Sequence, residues 1–166
     1  IAFSFLCAMF NDSATSTAPA DDSFSGFIRF EVNKISTLTG IGRVSPAVEV
    51  KGIPLKLMTY KKNTSEFLEV FLYYGNNDSH IWSFDVAAQL SLVNADEKNN
   101  SLNIEFNTTF NCEIPSWGFE FISWEDLINK KKGFIKNNKI TLEARFTLSK
   151  IIRNQNSSSF PFHGFE

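Results

Sequence analysis

Pro115-Ser116-Trp117-Gly118-Phe119-Glu120-Phe121-Ile122-Ser123-Trp124-Glu125-Asp126-Leu127 is a run of aromatic and apolar residues broken by one glycine and closed by a helix-start signal. The segments before it read as strands that wrap around it. Phe119, Phe121 and Ile122 require burial, and Gly118 lets the backbone pass where a side chain would crowd a neighbouring strand. Ser123 reads as an N-cap, its hydroxyl accepting the amide proton of Asp126, with the acidic Glu125 and Asp126 at the positive end of a new helix. Lys130 to Lys132 suit the other end and Gly133 the stop, which predicts a short helix of about two turns.

Working outward from that stretch, period-two alternation dominates. Ile140, Leu142, Ala144, Phe146 and Leu148 face one way, with Thr141, Glu143, Arg145, Thr147 and Ser149 opposite. Ile28, Phe30 and Val32 alternate in a strand over 27–33, Leu102, Ile104 and Phe106 in a strand over 102–107, and the longest alternation runs from Trp82 to Leu92 as one bent strand or two. Shorter strands are expected at 48–50, 55–60 and 67–74, with Pro54 confined to a strand's beginning and Gly75-Asn76-Asn77-Asp78 and 95–101 as turns. The strand over 67–74 carries aromatics on two faces, so that Phe67, Phe71 and Tyr73 stand opposite Leu68, Val70 and Leu72 and offer lining for a peptide groove. The fold class is all-β, an antiparallel β-sandwich of seven to eight strands with one short helix.

The chain has 166 residues, 43% hydrophobic, enough for one good core, with 18 Phe against 3 Tyr. Three segments are expected: an apolar then polar leader over 1–23, one domain over 24–150, and a C-terminal connector over 151–166 that reads as cut off. Because it starts at Ile1 without a methionine, the chain reads as a fragment, a processed product or an incomplete gene product. The apolar 1–10, ending in a small-residue stretch at Ala18-Pro19-Ala20, resembles a signal-peptide remnant without its charged start and is too short to span a bilayer. Sequons stand at Asn11, Asn63, Asn77, Asn99, Asn107 and Asn156, but a chain rich in Asn, Ser and Thr acquires them by chance, and a cytoplasmic location is expected over secretion.

A net charge of -2 argues against a nucleic-acid binder, and the run Lys130 to Lys132 reads as a solvated helix end. No catalytic or metal signature is present. His80 and His163 are far apart without ligand-spaced partners, and no phosphate loop, nucleophile elbow or zinc-protease helix occurs. Cys7 and Cys112 allow at most one disulfide, and Cys112 has no histidine placed to activate it. No cofactor is expected. What remains is an aromatic surplus on a sandwich.

The run 45–57, then Phe67 to Leu72, Leu90 to Asn94, Trp117-Gly118-Phe119 with Phe121-Ile122 and Glu125-Asp126-Leu127, and Gly133-Phe134-Ile135 before Ile140 to Ala144, resembles a MATH (meprin and TRAF homology) domain in its nematode form, over residues 24–150 and in the right order. The resemblance implies an eight-stranded TRAF-like sandwich without catalysis that binds short extended peptides in a shallow groove. It implies a groove at Phe71, Trp117, Gly118 and Phe119, with two further groove positions at Ala88 and Thr108, where this chain has no aromatic. Pro115-Ser116 stands where the best-known adaptor has a charged pair, Glu120 where it has a basic residue, and Leu55 where the family usually has tryptophan. The groove's position is thereby implied, and its Ser/Thr-rich preference is not.

The partner expected on this basis is a protein or peptide ligand, not nucleic acid or membrane, with the chain on its own a monomer. If a BTB domain follows, the resemblance implies a substrate adaptor for a cullin ubiquitin ligase. The alternatives are an extracellular or protease-associated module, a deubiquitinase's targeting domain, or a diverged copy without ligand.

Overall fold

A computed structural model describes residues 22–75, 82–96 and 100–153. Nine strands are laid down in chain order: β1 (Phe24–Asn33), β2 (Arg43–Val44), β3 (Val48–Val50), β4 (Ile53–Tyr60), β5 (Phe67–Tyr74), β6 (Trp82–Val93), β7 (Leu102–Asn111), β8 (Ser116–Ser123) and β9 (Lys139–Arg153), with one α-helix, α1 (Trp124–Ile128). They form two sheets, β1-β9-β6-β7 and β2-β4-β5-β8, with β3 also on β4, and every pairing is antiparallel. The all-β sandwich is as the sequence predicts. Among the described residues, two strands add to the seven segments read from the alternation: the two-residue β2, hidden in a polar loop, and the aromatic stretch itself.

That stretch is an edge strand, and not the centre around which the others wrap. Trp117 and Phe119 pair with Leu72 and Val70 on the inner face of β5, while Gly118 and Glu120 pair with the outward Phe71 and Glu69. A bulge between Leu68 and Glu69 restores the phase, so that Ile122 pairs with Leu68 and both Phe121 and Ile122 are buried.

The inner faces close as the alternation requires. Ile140, Leu142, Ala144, Phe146 and Leu148 on β9 and Trp82, Phe84, Val86, Ala88, Leu90 and Leu92 on β6 lie side by side on the inner face of one sheet, and all are buried in one core with Leu55, Leu57, Leu68, Val70 and Leu72 of the other. The long alternation is one strand, with a register shift against β9 between Ser83 and Asp85. Pro54 is the second residue of β4, opposite Glu49, where its missing N–H interrupts nothing central. Strand β9 runs on to Arg153, which pairs with Trp82, three residues past the expected end of the domain.

The helix is shorter than predicted. Ser123 caps it as expected, its Oγ accepting from Asp126 N at 3.1 Å. Asn129 then leaves helical geometry at ψ 109 and starts a separate 3-10 turn over Lys130–Lys132 by accepting from Lys131 N with its own side chain, at 3.0 Å. Side-chain capping by asparagine competes with helix continuation, which the charge pattern alone does not reveal. Gly133, at φ 73, closes that turn and not the helix. The predicted leader lies almost wholly outside the described residues, as do Cys7, both histidines, the turn after Gly75, the connector beyond Arg153, and the sequons at Asn11, Asn77, Asn99 and Asn156.

Candidate functional site

Strand β7 ends one sheet and β8 ends the other, so the sandwich has an open seam between them. A tight turn fixes its end. Asn111 Oδ1 accepts from the amides of Glu113 and Ile114 at 2.9 and 2.8 Å, and Asn111 N donates to Ile114 O at 3.1 Å. Pro115 has no N–H to give but its carbonyl accepts from Tyr74 N at 2.8 Å, which docks the start of β8 on β5. The other end is held where Trp124 N donates to Glu66 O at 2.6 Å. Strand β8 is thus rigid along one side, with no strand paired to its other side among the described residues.

Four of the six predicted site residues belong to this seam. Phe119 lies against Phe106 of β7, ring centroids 5.8 Å apart. Phe106 is opposite Ala88 on β6, and Thr108, half-buried on the same face of β7, is opposite Val86. Trp117 is 41% exposed, the least covered ring of β8. Ala88 is only 7% exposed, because Phe106 and Phe146 stand on either side of it in register. It therefore underlies the seam instead of lining it.

Phe71 and Gly118 pair with each other but on the outer face of that sheet. A Cβ on Gly118 would collide with the Val70 carbonyl oxygen and the Phe71 ring, which accounts for glycine at this position. Phe71 also stacks on Tyr60, at 5.6 Å and 9°. Phe67 and Tyr73 share this outward face, as the two-faced pattern predicts. Three lysines of β4 and the following turn lie over its rings: Lys56 over Tyr73 at 6.0 Å, Lys61 over Trp124 at 5.2 Å and Lys62 over Tyr60 at 5.6 Å.

Beneath Tyr60 and Lys62 sits Glu69, 4% exposed on this otherwise solvated face. Its Oε2 takes Lys62 Nζ at 3.1 Å, and its Oε1 is buried without a hydrogen-bond partner. Burial, and then the Glu69 carboxylate, push the Tyr60 phenol above its usual range, and the bond to Glu69 does the same for the Lys62 ammonium. Burial also raises Tyr73.

Phe106, Tyr60 and Glu69 were not among the sequence's site candidates. Alternation places Phe106 and Tyr60 on a face, but only the register shows which ring each one meets. Nothing in the pattern marks a buried carboxylate on an outward face. A shallow concavity of about 690 Å³ lies over Ala87 on the outer face of the other sheet; Ala88 and Phe106 are among the residues that line it, and no residue of β8 is. Cys112 is exposed in the β7–β8 turn, and no group of three His, Cys, Asp or Glu able to hold a metal comes together among the described residues.

The sequence model of a known family, described as the MATH domain, matches residues 28–146, from within β1 to within β9. The chain belongs to the MATH family. Its matched segment holds β8, the seam and all six predicted positions. The MATH domain is a protein-interaction module. Among curated proteins the chain is similar to a ubiquitin carboxyl-terminal hydrolase 7 of Drosophila melanogaster, 31% identical over 105 residues, covering 61% of this chain and 9% of that protein. It is also similar to a ubiquitin carboxyl-terminal hydrolase 7 of Caenorhabditis elegans, 28% identical over 145 residues, covering 76% of this chain and 12% of that protein. The chain spans about a tenth of the length of these relatives.

Proposed function

We propose that this MATH domain binds short extended peptides of other proteins along the free edge of β8, and that it has no catalytic role of its own. The observation that carries the reading is the edge itself: a strand held at both ends, with unpaired backbone groups on one side and Trp117 and Phe119 beside them. An extended segment adding to such an edge gains main-chain hydrogen bonds from the backbone and selectivity from alternate side chains. With few side chains engaged, the interface is small and the affinity about micromolar.

Binding here serves to bring a partner to whatever activity accompanies the domain. The likeness to two ubiquitin hydrolases favours a deubiquitinase-linked role, with the hydrolase activity outside this chain. A cullin-ligase adaptor is the second reading and requires a BTB domain in the same protein. The test is selection from a library of random ten-residue peptides on the folded chain, followed by titration calorimetry with Phe119→Ala and Phe71→Ala. Loss of affinity in variants that keep their circular dichroism supports the edge. Unchanged affinity in the folded double variant overturns it.

A further inference from the structure

The charge around the open edge is one-sided. From Leu102 to Ile128 the chain has five acidic side chains, Glu105, Glu113, Glu120, Glu125 and Asp126, and no lysine, arginine or histidine. That segment is β7, the turn, β8 and α1, and so includes the strands on both sides of the seam. Asp126 pairs with Lys132 at 3.1 Å, and Glu105 accepts from Gln89 Nε2 at 2.9 Å. Glu113, Glu120 and Glu125 form no ion pair among the described residues.

Glu120 is exposed on the edge strand directly opposite Glu69. Two carboxylates facing each other across antiparallel strands repel unless a cation stands between them or beside them. Glu69 has Lys62 on one oxygen and nothing on the other, and Glu120 has none. The next pair on the same face toward the start of β8, two positions on, is Gly118 with Phe71, so a ring lies beside the carboxylates.

We propose that the segment docking along β8 is basic, with a lysine or arginine whose charged end pairs with Glu120, lying over Phe71, and a second basic side chain near Glu113. This rests on the edge-binding reading above and adds the chemistry of the ligand. The lysines of the same sheet do not reverse it. Their backbones lie on β4 and the turn beyond it, and their charged ends are already engaged: Lys62 pairs with Glu69, and Lys56 and Lys61 lie over Tyr73 and Trp124, so none of them forms an ion pair with Glu120 or Glu113. An incoming cation meets the acidic edge first, and a surface carrying one sign of charge raises the local concentration of oppositely charged ligands.

The experiment uses the 166-residue chain and a random ten-residue peptide library with all charges equally represented. Each selected peptide is then titrated against wild type, Glu113→Gln/Glu120→Gln, Glu120→Lys and Phe119→Ala. Exposed pairs are individually weak, so the double glutamine variant is expected to bind about threefold to tenfold less tightly, and Glu120→Lys to weaken binding further. Selected peptides are expected to be enriched in Lys and Arg, with wild-type binding falling as salt is raised from low to physiological strength. Both charge variants are at exposed positions and are expected to keep the wild-type circular dichroism. If selected peptides lack basic residues and bind the charge variants as tightly as wild type, while Phe119→Ala still abolishes binding, the edge stands and the basic ligand falls. If no peptide is selected, both readings fall.

Discussion

The ring of Phe71 lies flat against the backbone of Gly118, its partner across β5 and β8, and the two strands come close enough that no Cβ fits between them. A Gly118→Ala variant must push either the Val70 carbonyl or the Phe71 ring aside, and the carbonyl belongs to a paired strand that cannot yield cheaply. Overpacking of this kind costs about 1–3 kcal/mol. Urea unfolding should show a lower midpoint with an unchanged slope. A midpoint equal to wild type would mean the close approach of these strands is not as described.

Phe119 and Phe71 belong to the same sheet but should respond differently to truncation. Phe119 is half-buried against Phe106 and the core, so Phe119→Ala leaves part of a core cavity and is expected to cost roughly half of the 3–5 kcal/mol of a fully buried ring. Phe71 sits outside the core and loses mainly its stack on Tyr60, about 0.5–1.5 kcal/mol. Thermal unfolding of the two variants checks the order. A larger loss for Phe71→Ala would place that ring in the core.

These differences mark how far the sequence could be read. Ser123 and Asp126, the alternation of β9, and glycine at position 118 each encode a local requirement, and each appears in place. Local patterns do not encode which strand is an edge, because Trp117 and Phe119 look the same in a central strand as beside open solvent. They also do not encode partners across sheets. Phe106 could be assigned an inward face by alternation, yet its meeting with Phe119 depends on how two sheets pack. Asn129 was invisible for a different reason: a single side-chain hydrogen bond ends the helix five residues in, against the favourable run of lysines that follows.

The cap itself is open to test. Removing the Ser123 hydroxyl leaves the Asp126 amide without its acceptor, and Ser123→Ala should cost about 1 kcal/mol, with Ser123→Asp restoring most of it. Because Trp124 N is also tied to Glu66 O, the loss should appear as global destabilisation by chemical denaturation and not as local fraying. Fraying confined to 124–128 in hydrogen exchange, with the unfolding midpoint unchanged, would separate the cap from the sheet.

Asp85 governs the acid side. Its carboxylate accepts from Thr109 Oγ1 at 2.6 Å and pairs with Lys150 Nζ at 2.9 Å, and these hold it below its ordinary 3.8. A depressed carboxyl stabilises the folded state above its unfolded value, and that contribution is lost as pH falls through the lower folded value. Unfolding midpoints measured between pH 5 and about 2 should fall less steeply in Asp85→Asn than in wild type. Parallel curves would show that the carboxylate contributes nothing to folding.

Glu69 governs the alkaline side through its neighbours. The Lys62 ammonium and the Tyr60 phenol both hold their protons more tightly in the folded chain than in the unfolded one, where their ordinary values are 10.5 and 10.0. Groups raised in this way contribute stability that is fully present below the unfolded value and is lost as pH rises through the folded one. Stability should therefore decline above about pH 10 in wild type. In Glu69→Gln the bond that holds the Lys62 proton loses its charge, and the Tyr60 phenol loses the carboxylate's upward push and keeps that of burial, opposed by Lys62, so the decline should be shallower. The difference between the two curves is the measure of this cluster. Curves of equal slope from pH 9 to about 11.5 would show that the Glu69 carboxylate does not set the charge of the residues lying over it.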